Sequence, residues 1–370
     1  MKFARQWPYT FIVGVSLLIG MVAAIGSLAL EVPLRDPEGF LGPAYIRLPL
    51  LALLMFALGI LPAAVRRCGW KQIPRGVVEV VRHEWNLRRV LYIATGLLTF
   101  YVCYVGYRNL KSVLPVYREG TLYDRELLEL DRWMFGGTDP AIILHNVFGM
   151  DLTAEVLSFI YVAYLPLIPI TLGIFLVLSR DLTVGAWYAT ALSLNWVLGT
   201  ISYYIMPALG PIYARPDLYQ QLPDTGVSSL QAALMNNRLE FLADPATSDV
   251  IHGVAAFASL HVSVTFAAAL FMHRSNQHVV VRWVAWAFFG MTFVATLYFG
   301  WHYLIDNIAG VAIGWAAVSL GAWATNHQGA RRLVAEEQGL SEHEVGIDIE
   351  ADDVASSPAM ASEAAPARRA

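Results

Sequence analysis

Residues 297–310, "LYFGWHYLIDNIAG", place His302 and Asp306 four positions apart in an otherwise apolar and aromatic stretch. On a helix such a pair shares one face, about 6 Å apart along the axis. A second histidine, His261, lies in "FASLHVSVTF", two residues after Ser259. Arg108 and Lys111 end a further apolar run, and "MPALGPIYARP" supplies Arg215 and Pro216 after another. These residue types suit phosphoryl transfer through a histidine. A carboxylate one turn from the nucleophilic imidazole holds its tautomer and stabilises the cationic ring. A second imidazole can protonate the departing alkoxide, and cations with a hydroxyl can orient the phosphate oxygens.

Each part also has a plainer reading. The His–Asp pair could be a polar contact between helices, His261 a packing residue, and the arginines solvated or headgroup-facing charges. Ionisable groups in membrane spans are costly, however, and normally mark function. Their convergence from four segments at one depth favours a site. The set works without a metal: no zinc-type spacing is present, and the cations would repel one. No cofactor is expected.

The elements that must position these groups follow from composition. The 370 residues are 57% hydrophobic and 15% charged, with a mean hydropathy of +0.51. That indicates an all-α polytopic membrane bundle rather than a soluble domain. The net charge of −4 carries no nucleic-acid signature, and Cys68 and Cys103 provide neither a disulfide framework nor a metal site. Eight stretches are long enough to span: 8–30, 44–65, 89–107, 153–179, 184–207, 253–272, 280–299 and 303–325. The loop after the second carries seven basic residues, Arg66 to Arg89, against Glu79 and Glu84, so it is expected in the cytoplasm. Both termini then fall inside, with Arg180, Arg274, Arg282, Arg331 and Arg332. The catalytic groups fall at the outer leaflet, and a plasma-membrane location is expected. Residues 121–135 read as an amphipathic helix at the outer interface. The acidic, Ala-, Ser- and Pro-rich segment 327–370 is expected to be a disordered tail.

"SLH" at 259–261 followed by H-x-x-x-D at 302–306 resembles the type 2 phosphatidic acid phosphatase superfamily. The resemblance implies that His302 is the nucleophile, Asp306 its partner and His261 the general acid, with Ser259 at the phosphate. Ala258 replaces the proline of the usual second motif, and Ala295-Thr296 replaces the Ser-Arg of the third. "ATLYFGWHYLID" and "YRNLK…YDRELLELDRWMFGG" are similar to the branch containing inositol phosphorylceramide synthase. For the first motif, K-x6-R-P, Arg215-Pro216 keeps the pair with Ala208 in the lysine position. A looser match runs from Lys111 to Arg118. Arg215 is therefore the expected phosphate ligand, with Lys111 and Arg108 as substitutes for the lysine.

The implied organisation is two additional N-terminal spans with a basic loop (1–88), a six-helix catalytic core (89–326) and the tail (327–370). The expected activity is transfer of a phosphorylated headgroup from a phospholipid or polyprenyl phosphate donor to an alcohol or glycolipid acceptor. Hydrolysis by the same residues is the alternative. A proton-coupled transporter using His302 and Asp306 is a more distant one, because a transport path needs more polar groups near mid-bilayer, where only Asn195 stands out.

Overall fold

In lipid a backbone must satisfy its own hydrogen bonds, so uncharged apolar runs of this length become helices. The structure, a computed structural model, describes residues 7–37, 43–179, 181–248, 250–251 and 253–325. Arg180 and the expected tail at 327–370 lie outside the described residues. Within them the chain is helical, with no strand.

The long helices are α1 (Thr10–Leu30), α2 (Ala44–Cys68), α4 (Leu87–Tyr117), α7 (Leu152–Gly173, continued by a π turn Ile174–Leu178), α8 (Leu182–Ile205), α11 (Leu260–Arg274), α12 (Val279–Tyr298) and α13 (Leu304–Ala324). Between them lie α3 (Ile73–Glu84), α5 (Asp124–Met134), α6 (Pro140–Phe148), the short α9 (Pro211–Ala214) and α10 (Gly226–Ala243). Six of the eight long helices are long and apolar enough to cross a membrane, which makes this a multi-pass membrane protein.

The other two, α8 and α11, were expected as ordinary spans and differ for a physical reason. Helix α8 is enclosed by other helices, with Thr190, Ser193, Asn195, Thr200 and Ser202 all buried. It faces protein rather than lipid and so tolerates hydroxyls that bond back to its own carbonyls. Helix α11 has only 15 residues. The chain before it, expected to be helical from 253, is extended, and Ala256 N–H donates to the Ala208 carbonyl at 2.8 Å. Helix α4 runs ten residues beyond the expected end at 107, so Arg108 and Lys111 sit on the helix itself.

Glycines set the closest approach in the bundle. Gly310 and Gly314, in a G-x-x-x-G pattern on α13, face α11; an added methyl would come within 2.5 Å of the carbonyl oxygens of Ser259 and Ser263 respectively. This contact joins the two helices whose N-terminal ends carry the histidines.

Candidate active site

His302 lies in the link between α12 and α13, and Asp306 is in the first turn of α13. His302 is 5% exposed and Asp306 fully buried, with Nδ1 and Oδ2 3.5 Å apart. The same Oδ2 accepts from Tyr303 N–H at 2.9 Å, which fixes the carboxylate against the ring. Nε2 is the nitrogen left for chemistry.

His261 stands one residue inside α11. Its ring centroid is 6.0 Å from that of His302, close enough for both to face one phosphorus atom. The His261 ring is clasped by Tyr161 and Tyr164 of α7, each with a centroid distance of 4.4 Å. Tyr161 Oη is 3.4 Å from its Nδ1. Trp301 stacks on the other face of Tyr161 at 5.3 Å, so the residue before His302 and the ring beside His261 share one aromatic pile.

The expected phosphate ligands divide. Lys111 is buried, its ammonium 4.7 Å from the centre of the Tyr203 ring and within hydrogen-bond reach of Tyr107 Oη at 3.4 Å. Arg108, one turn away, lies beside the Gly253 backbone, and its buried Nε has no hydrogen bond among the described residues. Arg215 follows a loop that packs on the residues before His302, where Ile212 N–H donates to the Gly300 carbonyl at 2.8 Å. Its guanidinium forks onto Asp217, with bonds of 2.9 and 2.7 Å. The Asp217 carboxyl is held below its usual range by that contact. The hydroxyl of Ser259, fully buried, caps α11 by accepting from Val262 N–H at 3.4 Å, while its own N–H donates to the Asp306 carbonyl at 3.0 Å. Ser259 thus links the two motifs mechanically.

Residues 125–320, just over half of the chain, match the family model described as the PAP2 superfamily. The chain belongs to that superfamily. Members of the PAP2 superfamily are typically phosphatases or phosphotransferases acting on lipid phosphates. The match covers both histidines and Asp306 and begins after α4, so Lys111 and Arg108 come from outside it. Neither the curated proteins nor the solved structures include a match.

Within this PAP2 scaffold Thr296 occupies the position of the third-motif arginine. It is fully buried and paired with Asn307, whose Nδ2 donates to its Oγ1 at 2.8 Å, so it locks α12 to α13. Asn195, the polar residue expected near mid-bilayer, bonds to Ser263 and to the Ala191 carbonyl. Both of its ends are engaged in helix packing.

Helix α5 holds the site together in a way that its expected interfacial placement did not convey. The Asp124 carboxylate accepts from Leu209 N–H, from Gly210 N–H at 2.8 Å and from Tyr303 Oη at 3.0 Å. Asp131 accepts from Leu304 N–H at 3.1 Å, at the start of α13. Burial pushes the Asp131 carboxyl up to about 7, reinforced by Asp306 and Asp139 and opposed by the Leu304 amide. The two acids bond to the residues that follow His302, and they come from a helix that precedes it by four long helices in the chain. A signal was present: seven residues apart, they share a helix face with Leu127 and Leu128, the apolar side.

Proposed function

We propose that this protein is a lipid headgroup phosphotransferase working through a phosphohistidine on His302. Nε2 of His302 attacks the phosphorus of a lipid phosphodiester, the P–O bond to the lipid alcohol breaks, and His261 protonates the leaving oxygen. An acceptor hydroxyl then attacks the phosphohistidine, giving its proton back to His261. Asp306 on Nδ1 stabilises the ring cation in both steps, and Lys111 with Arg108 neutralises the phosphate oxygens. The observation that carries this reading is the 6.0 Å approach of two imidazoles, one backed by a buried carboxylate.

Transfer rather than hydrolysis is supported by the sequence similarity to the synthase branch and by the aromatic pile beside His261, which limits water there. The extracytoplasmic orientation is supported by charge. Arg89 lies 22 residues before Lys111 on α4, which separates the basic loop from the histidines by about 33 Å, roughly one bilayer core.

The test is incubation of purified protein with radiolabelled phospholipids, with and without polyol or glycolipid acceptors. A labelled acceptor adduct is expected, and His302→Ala should abolish it while the protein remains folded. Free phosphate in place of the adduct would make the enzyme a phosphatase. Turnover by the His302→Ala protein would remove the phosphohistidine.

A further inference from the structure

Beyond the histidines, the end of α4, the loop at 207–209 and α10 border a small cavity that two arginines line. Arg118 projects from the α4 end and Arg238 from α10, with Leu114, Pro207 and Leu209 between them. Arg238 is 8% exposed. Among the described residues neither arginine has an ion pair or a side-chain hydrogen bond. Glu119 and Glu240, close to them in sequence, are exposed. Among the described residues the acid whose charge acts on Arg238 is Asp124, and its carboxylate is already committed to Leu209, Gly210 and Tyr303.

Two guanidiniums that line one half-enclosed site without a carboxylate of their own each carry a desolvation cost. Burial accordingly pushes the Arg238 guanidinium below its usual range. An anion with several acceptor oxygens relieves both, and the guanidinium fork suits phosphate.

We infer that this cavity binds a second phosphate-like group of a substrate, held by Arg118 and Arg238 apart from the phosphorus that reacts at His302. The inference rests on the reading of His302 as the phosphoryl-transfer centre. Arg118 caps the C-terminal end of α4 seven residues beyond Lys111, which sets the two backbone positions about 10 Å apart along the axis. The spacing fits an acceptor alcohol that carries its own phosphate, or the headgroup of a neighbouring anionic lipid.

The test is phosphate binding to the full-length, detergent-purified protein, read as a shift in thermal unfolding midpoint. A His302→Ala background removes turnover. Inorganic phosphate should stabilise that protein, and Arg118→Gln with Arg238→Gln should weaken its apparent affinity roughly tenfold or more. Lys111→Met should leave a measurable part of the response. Without ligand, Arg238→Met should leave the midpoint unchanged or higher, since it removes an uncompensated buried charge. A clear fall would make Arg238 structural and overturn the site, and so would equal phosphate responses with and without the two arginines. None of these readouts requires turnover, so a failed transferase assay and a failed second site remain distinguishable. Repeating the titration in phosphatidylcholine nanodiscs with and without phosphatidylglycerol separates the sources. A phosphate response suppressed by the anionic lipid assigns the site to a headgroup, and an unaltered one to a soluble phosphorylated acceptor.

Discussion

Helices α3 and α5 are similar in length and both amphipathic, yet they treat their charges oppositely. In α3, Arg75, Glu79, Arg82 and Glu84 are all exposed, and the helix is seated on α2 through Gly76, where an added methyl would fall 2.6 Å from the Ala64 carbonyl oxygen. In α5, Arg125, Glu126 and Glu129 are exposed but Asp124 and Asp131 are buried. An amphipathic pattern says where a helix lies. A charge on its apolar side says what it holds, because a buried carboxylate persists only where donors meet it. The donors that meet Asp124 and Asp131 are the loop at 209–210 and residues 303–304, the immediate surroundings of His302.

The sharpest break of this contrast is Asp124→Ala. It leaves two backbone N–H groups and the Tyr303 hydroxyl without their acceptor. Buried donors orphaned together should cost about 3–5 kcal/mol of stability, with near-complete loss of turnover. Thermal unfolding and activity on the purified variant measure both. A loss below about 1 kcal/mol would place Asp124 with the exposed charges of α3.

Asp131 gives a smaller, pH-dependent effect. Burial raises its carboxyl to about 7. The stability contributed by the protonated form is fully present below about 4, the unfolded value, and is lost as pH rises through about 7. Asp131→Asn mimics the neutral carboxyl and still offers an oxygen to Leu304 N–H. Its stability relative to the unaltered protein should therefore be near zero at low pH and rise by on the order of 1–3 kcal/mol by pH 8. Unfolding curves at several pH values check this; a difference that does not grow with pH would mean that the Leu304 amide outweighs burial.

The same contrast marks how far the sequence could be read. The convergence of His302, Asp306 and His261 was legible because the long helices fix their level. The helical architecture was legible because apolar runs of that length have few alternatives. What draws the histidines together was not, since Gly310 and Gly314 matter only once the partner helix is known. Helix α8 read as a lipid-facing span because hydropathy does not distinguish enclosure by protein from exposure to lipid. Arg215 was read as a phosphate ligand without the ion pair that its guanidinium makes with Asp217, two residues later. Helix α10 has little apolar periodicity, so Arg238 had no frame in which to stand out.

At the small end of the comparison is Glu84→Gln on α3. Glu84 pairs with Arg67 at the end of α2, both side chains 38% exposed. An ion pair this accessible gains little over hydration and is weakened by salt, so the substitution should change stability by no more than about 0.5 kcal/mol. Even that difference should shrink between low and high ionic strength. If Glu84→Gln instead rivalled Asp124→Ala, exposure would be the wrong criterion for separating the two helices, and the basic loop beside α3 would have to be tied to the catalytic end by a coupling that its contacts do not contain.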